Sequence, residues 1–572
     1  MTINRPRIIL TALLVVATLA ATQYWWQRGR LIQMPDAPSG HLMCVSYAPY
    51  HEPGQTPFAA GTIIPPAQIE HDLRQLAGNF DCVRTYSVGQ GLDAVPAIAH
   101  RLGMHVLLGI WLGRDRSANA REIALGIHTA RAHQDAIRAV VVGNEVLLRG
   151  ELPASELAAD ISQVRTATGL PVTYADVWEY WLKYPQLADA VSFVTTHILP
   201  YWEDHPVAID AAVEHVRRVY EKVRAAFPNK PVLIGETGWP SAGRQRGGAV
   251  PSRVNEARFV RGFLNYASRS GVPYNLVEAY DQPWKRWLEG TAGGYWGLYA
   301  ANGQQKFPLH GPVSEDPDWY FGPLTGVGFA LVLCLSGFAG RRKPGVWHGI
   351  GLLLLGYAGG TVLAAQYEQL LKASRDDFEW LMGSSCTLLE LATLWLFARL
   401  FAHCLQTPEV PCRETTWNFR LLGRVGLPPA INLRELLWSL WLFASAVVCL
   451  LLVFDPRYRG FPIALFQPAA FGFALFPLLH PDTRHPTSLE KRILAAWLGL
   501  AAILIVSIEG FENTRALVWA LLCGLLCLSV WLPHLRARQH QYAHYQSDCA
   551  RFEAIPHQTG HAGDCAQPRD PA

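Results

Sequence analysis

In the segment Val232-Leu233-Ile234-Gly235-Glu236-Thr237-Gly238-Trp239-Pro240-Ser241-Ala242-Gly243, an apolar run of strand type delivers a carboxylate, with small residues, an indole and a turn immediately after it. That combination suits sugar chemistry: the ring takes the apolar face of a pyranose while an ionised carboxylate attacks the anomeric carbon. A lone Glu after a strand reads more plainly as a surface residue, and it is the whole run that favours chemistry. A second carboxylate closes Val140-Val141-Val142-Gly143-Asn144-Glu145. Glycosidic cleavage with retention needs two carboxyl groups about 5 Å apart, one protonated to donate to the leaving oxygen and one ionised to attack. Glu145 and Glu236 are the expected catalytic pair, and Asn144 is an amide donor for the sugar 2-hydroxyl. A salt-bridged loop carboxylate is the alternative for Glu145.

The pair needs a frame that brings two distant strand ends to one opening. Strand-like runs are expected over 44–49, 82–88, 105–112, 139–145, 171–177, 191–198, 231–236 and 274–280. Helical patterns lie between them over 66–77, 116–137, 155–168, 206–227 and 252–270. Eight such units in about 270 residues predict an α/β fold of the (β/α)8 TIM-barrel type. A doubly wound open sheet is the rival, but no Gly-rich phosphate turn follows any strand.

Barrel chemistry sits where strands end, and the reactive and aromatic side chains of this sequence fall there. The expected substrate-binding residues are Tyr47 after the first strand and Arg84 and Tyr86 on the second. Asn144 ends the fourth, Trp178 follows the fifth, and His197 and Tyr201 belong to the sixth. Trp239 follows the seventh strand, and Glu278, Asp281, Trp284 and Lys285 the eighth. Glu278 and Lys285 are expected to tune Glu145, because a neighbouring carboxylate raises an acid's pKa and an ammonium lowers it. A structural ion pair at the rim, and a satisfied barrel histidine at His197, are the alternatives. No zinc-ligand spacing occurs, and double displacement by two carboxyl groups requires no metal or organic cofactor.

The Glu236 run resembles the nucleophile signature of glycoside hydrolase family 17, the β-1,3-glucanase family. The resemblance extends over residues 42–311 through Val45-Ser46-Tyr47-Ala48-Pro49, Val83-Arg84-Thr85-Tyr86, Gly143-Asn144-Glu145, Glu278-Ala279-Tyr280-Asp281-Gln282-Pro283-Trp284-Lys285 and Trp296-Gly297-Leu298-Tyr299. It implies an acid/base role for Glu145, a nucleophile role for Glu236, and a β-1,3-glucan held in an aromatic-lined cleft. Hydrolysis and transglycosylation share the glycosyl-enzyme and differ in whether water or a glucan hydroxyl resolves it. Many family members carry Tyr before the proline of the sixth-strand loop, where this chain has Leu199 before Pro200. Bacterial members with membrane segments resemble proteins linked to glucan remodelling and β-1,6 branching.

The 572 residues are half hydrophobic and 17% charged, and these averages cover two regimes. Residues 40–312 read as a soluble domain and 320–534 as seven apolar runs of membrane-spanning length, near 320–339, 346–365, 381–404, 436–454, 461–480, 493–509 and 516–534. An eighth run, 8–25, lies in an N-terminal segment (1–30) that reads as a signal anchor, with a cleaved signal peptide as the alternative. The tail 539–572 shows no periodicity and is expected to be largely irregular. Basic clusters at Arg341-Arg342-Lys343, Arg413 to Arg434, Arg484 to Arg492 and Arg536 to Arg538 alternate with loops lacking them. The positive-inside rule then puts the basic loops in the cytoplasm and the barrel outside, and with the resemblance to bacterial members the expectation is a bacterial inner-membrane protein with a periplasmic barrel. The net charge is only +3 and no basic stripe occurs, which excludes nucleic acid as a partner.

The expected partners are β-glucan and membrane lipid, with a separate membrane glucan synthase as a further candidate. A role as accessory glucan-binding or export component of such a synthase is the alternative function. The longest expected cytoplasmic loop, near 405–435, is too short to be a synthase domain itself. Glu390, mid-span, is expected to make an interhelical hydrogen bond as a neutral acid or to bind a proton or a partner helix. Of eleven cysteines only Cys44 and Cys82 lie in the soluble domain, and either a disulfide or two buried thiols fits them.

Overall fold

The computed structural model describes residues 5–59, 61–338, 345–406, 416–418, 430–479 and 487–553. Eight parallel strands close into a barrel in chain order: β1 (Leu42–Ser46), β2 (Phe80–Arg84), β3 (His105–Ile110), β4 (Ile137–Asn144), β5 (Val172–Val177), β6 (Val194–His197), β7 (Val232–Thr237) and β8 (Tyr274–Leu276). Closure is made by β1 pairing with β8. Strands covered on both sides must be apolar nearly throughout, and Ala139-Val140-Val141-Val142 in β4 is such a run. The helices between strands start where the sequence supplies caps. Asp115 accepts from the Ser117 and Ala118 amides ahead of Arg116–Ala132, and Ser252 accepts from Asn255 ahead of Arg253–Ser270.

Strand periodicity explains where the polar site sits. Cys44, Cys82, Leu107, Ala139, Val141, Ala175 and Leu233 form one apolar cluster. Two residues further along their strands, on the same face, Cys44 and Cys82 give way to the buried polar side chains Ser46 and Arg84. Cys44 and Cys82 are direct register partners and are joined as a disulfide. Of the two readings the sequence left open, the thiols are bonded.

The eighth strand is shorter than the expected 274–280. Val277 N still donates to Thr237 O of β7 (3.0 Å), and the chain then pairs with a returning segment, with Glu278 N donating to Trp296 O (3.1 Å), Leu298 N to Glu278 O (2.9 Å) and Tyr299 N to Ala279 O (2.9 Å). Glu278 is thus set on a two-stranded loop above the sheet rather than on the sheet.

Helix Arg5–Gly29 precedes the barrel, and Phe321–Phe338, Val346–Ala373, Asp377–Gln406, Leu433–Phe454, Ile463–Leu479, Leu489–Glu509 and Thr514–Glu553 follow it. Among the described residues six helices are long and apolar enough to cross a membrane; Phe321–Gly337 and Ile463–Leu478 are apolar but shorter. The last helix runs to Glu553, past the expected start of an irregular tail, and 554–572 lie outside the described residues. Most of the basic clusters used to orient the spans fall on 339–344, 407–415, 419–429 and 480–486, also outside them. Glu390 is fully buried, and among the described residues neither of its oxygens has a hydrogen-bond partner, so the expected interhelical hydrogen bond is not found among them.

Candidate active site

Glu145 and Glu236 come from strand ends on opposite sides of the barrel and meet at one mouth. Together with His197 they bring one side-chain ligand atom each to within 4.8 Å of one another. The turn that presents Glu145 is unusual in its backbone: Gly143 has φ +82 and Glu145 has φ +52. A non-glycine residue in the left-handed region costs about 1 kcal/mol, and such conformations persist only where surroundings impose them. Here Glu145 N donates to Ala175 O at 2.8 Å, and Arg149 clamps the turn through Asn144 O and, at 2.9 Å, Leu112 O. A side chain at Gly143 would also meet Val146 Cγ2 at 2.9 Å.

Glu236 is buried and held from several sides. Arg84 Nη1 donates to its Oε1 at 3.0 Å and to Gly235 O at 2.9 Å, and the Tyr86 hydroxyl donates to the same Oε1 at 2.9 Å. Arg84 Nη2 donates to Asn144 Oδ1 at 2.6 Å, and His197 Nε2 lies 3.1 Å from that oxygen. A guanidinium can only donate, so the Asn144 oxygen faces inward and its amino group is left as the donor toward the mouth.

The two carboxyl groups are pushed apart in pKa. Glu145 is raised to about 8, first by burial and then by the charges of Glu236 and Asp176. Burial also works against charge on Glu236. The opposing influence of His197, Arg84, Lys285 and the Tyr86 bond outweighs it and holds Glu236 below the usual carboxylate range. Burial holds His197 itself down to about 4, so at neutral pH the lasting positive neighbours of Glu236 are Arg84 and Lys285. One carboxyl protonated and one ionised, side by side, is the division of labour that acid-assisted nucleophilic displacement requires. A cation among Glu145, His197 and Glu236 would bind a carboxylate already paired with Arg84, and the guanidinium charge opposes it.

Lys285 Nζ donates to Glu278 Oε2 at 2.7 Å. Burial raises Glu278 to about 7, with Lys285 opposing the shift. Replacing Lys285 by Met strands a buried carboxyl and is expected to destabilise the chain by about 3–5 kcal/mol where Glu278 is ionised. A carboxyl whose folded-state pKa is raised contributes stability that is lost as pH rises through that pKa. The loss in Lys285→Met should therefore be small at about pH 5 and large at about pH 8. Thermal unfolding of the full chain in detergent measures it; equal losses at both pH values would refute the assignment, and adding Glu278→Gln should recover most of the loss.

The remaining expected binding residues divide into two groups. Trp178, half-buried at the start of helix Trp178–Lys183, donates to Glu203 Oε1 at 3.3 Å and carries Lys222 over its ring at 4.2 Å. Trp284, half-buried, donates to Gln282 Oε1 at 2.7 Å, with Phe58 edge-on at 5.5 Å. Four others are corrected, because their side chains are spent on packing. Tyr47 is buried with its hydroxyl on Asp72 (2.9 Å), Tyr201 on Arg244 O (2.7 Å), and Trp239 with its indole N–H on Val250 O (3.1 Å). Asp281 accepts from Gly297 N and Lys306 Nζ, each at 2.9 Å. Buried polar groups are satisfied in this way, so these four shape the wall rather than face a ligand.

Glu289 was missed by the sequence reading. Its charge contributes to the raised pKa of Glu145 and of Glu278, which puts it at the same mouth. The available signal was its spacing of four from Lys285, across two consecutive helical segments.

Residues 44–297 match the family profile described as the BtgE/BtgC glycoside hydrolase domain. A glucan 1,3-beta-glucosidase of Arthroderma benhamiae is 29% identical over 304 residues, covering 48% of this chain and 97% of that protein. The cell surface mannoprotein MP65 of Candida albicans is 26% identical over 268 residues, covering 46% and 68%. Among solved structures, a glycoside hydrolase family 17 beta-1,3-glucanosyltransferase from Rhizomucor miehei is 25% identical, covers 47% of this chain and 97% of that one, and has a TM-score of 0.41. The barrel of this chain carries the match to the BtgE/BtgC glycoside hydrolase profile, and the protein is an enzyme of glycosidic bonds, a glycosidase or glucanosyltransferase.

Proposed function

We propose that the chain is a membrane-held, retaining enzyme of β-1,3-glucan. Glu236 attacks the anomeric carbon while Glu145 protonates the leaving oxygen. Glu145, now a carboxylate, then takes a proton from water or a glucan hydroxyl as that oxygen displaces Glu236. The observation that carries this reading is the approach of the two carboxyl groups within 4.8 Å together with their opposite pKa displacements. That spacing falls in the retaining class and is too close for a water to stand between the groups, as inversion requires. The Asn144 amino group is the donor for the sugar 2-hydroxyl, and Arg84 and Tyr86 hold the nucleophile in position.

We place the protein in the inner membrane of a Gram-negative-type bacterium with the barrel in the periplasm. The relatives named above are fungal, so this placement rests on the chain itself. Its support is threefold. Six helices have membrane-spanning length. A disulfide crosses β1 and β2 and belongs in an oxidising compartment. Of the turns that touch the barrel, 374–376 and 510–513 lack the clustered basic charge of the opposite side, and 455–462 sets Asp455 beside Arg457 and Arg459.

The test is incubation of the full-length chain in detergent with a β-1,3-linked glucose hexamer, following product size, linkage and initial anomeric configuration. A β-configured first product supports retention, and an α-configured one overturns it. Products longer than the donor identify transfer, and only shorter products identify hydrolysis. No turnover together with retained glucan binding would favour the accessory role in a synthase complex.

A further inference from the structure

The region of apolar helices meets the barrel on one face, the face that carries the carboxylates. Next to β7, Arg244 pairs with Glu509 and donates to Arg459 O. Arg515 Nη1 donates to Gly243 O at 2.8 Å, and Gln245 bonds Glu512 O and Thr514 Oγ1, each at 3.0 Å. Next to β8, Arg286 donates to Lys372 O (3.1 Å) and Ser374 O (3.0 Å). Two loops of the catalytic mouth are thus pinned to turns between the helices.

Between these braces stands Tyr458. Its main chain occupies the space beside Gly290, where a Cβ would lie 2.3 Å from Tyr458 O and where φ is +66. Gly290 directly follows Glu289, a further carboxylate of the mouth. The Tyr458 ring stands edge-on to Trp202 at 6.1 Å, and Trp202 stacks on Trp296 at 6.2 Å. Trp296 in turn accepts from Glu278 N through its carbonyl. A run of rings therefore leads from the ends of β7 and β8 out to the membrane-side turn. Tyr458 is the ring of this run most open to solvent, at 37% exposure.

We propose that the glucan cleft is composite: turn 455–462, between helices Leu433–Phe454 and Ile463–Leu479, forms one of its walls, and Tyr458 contacts the glucan chain. This rests on the β-1,3-glucan reading above. A tyrosine offers a flat apolar face and a hydroxyl at its rim, which matches the apolar face and hydroxyl edge of a glucose unit. Ring contacts of this kind add length preference without touching the reacting bond. The Arg244 bond to Arg459 O fixes this turn against the mouth, and the braces to Glu509, Glu512, Lys372 and Ser374 hold the neighbouring turns there, which a simple anchor would not need. A glucan bound this way runs along the membrane surface.

The test uses the full-length Glu236→Gln chain in detergent, which keeps the ligand intact, and hydrogen–deuterium exchange with the β-1,3-linked hexamer. Peptides of the barrel mouth and of 455–461 are both expected to exchange about fivefold or more slowly with ligand. Protection of the mouth without protection of 455–461 overturns the composite cleft and leaves the glucan reading standing. Protection of neither overturns the glucan reading itself. In the otherwise wild-type chain, Tyr458→Ala is expected to raise KM for the hexamer about tenfold and leave kcat within about twofold, with KM for the trimer little changed. Tyr458→Phe, which keeps the ring face and removes only the hydroxyl, should raise KM for the hexamer by about threefold, less than Tyr458→Ala does. An equal change on trimer and hexamer would make the turn a mechanical support only.

Discussion

Glu236→Gln is expected to lower kcat on a β-1,3-linked hexamer by at least about 10⁴-fold, because the amide cannot form the glycosyl-enzyme. The fold should persist. The amide oxygen of the variant can still accept from Arg84 and Tyr86, which donate to Glu236 Oε1 at 3.0 and 2.9 Å in the wild type. The substitution removes a negative charge that now raises the Glu145 pKa, so the Glu145 carboxyl should titrate below about 8 in the variant. Steady-state rates of full-length protein in detergent check the first expectation, and a pH titration of the carboxyl signals of labelled protein checks the second. A variant retaining a tenth of the activity would rule Glu236 out as nucleophile.

Glu145→Gln is expected to cost about 10²–10⁴-fold in kcat on oligosaccharides, the usual contribution of a positioned acid. The loss should be much smaller on an aryl glycoside whose leaving phenolate needs no proton. The pH profile separates this role from a structural one. In the wild type Glu145 must be protonated for the first step, so kcat/KM falls as pH rises through about 8. On the acid side activity falls where Glu236 takes up a proton, below the usual carboxylate range. In Glu145→Gln the alkaline fall near 8 should disappear with a good leaving group while the acid fall remains. An unchanged alkaline limb would assign that titration to another group, and Glu278, at about 7, is the nearest candidate.

The barrel was legible because its signal is repetitive. Eight apolar runs, each bounded by turn residues and separated by helical patterns, leave few alternatives, and the strands are found in or against the expected ranges. The same reading placed Glu145 and Glu236 at strand ends because barrel topology sends every strand end to one face. It erred on side chains whose role depends on what stands beyond the strand. Trp239, Tyr201, Tyr47 and Asp281 share the residue types and positions of ligand contacts, but each finds a buried partner from another loop and is consumed by it. No local pattern encodes Val250 O or Arg244 O as a partner. Glu289 was passed over for the converse reason: a charged helix residue beyond the eighth strand looks solvated until the loop folds back over the mouth.

What this sequence determined alone is the set of elements and the stock of reactive groups. Strand and helix follow from the period of apolar residues, and membrane-length helices follow from the cost of burying polar groups in hydrocarbon. The tertiary structure decided everything that depends on distances across the barrel. It set the 4.8 Å approach of the carboxylates, the inward turn of Asn144 onto Arg84, and the docking of the helix turns on the catalytic face. Those features arise from chain segments tens to hundreds of residues apart. Electrostatic and hydrogen-bond energies act over a few ångströms of space, whatever the separation along the chain.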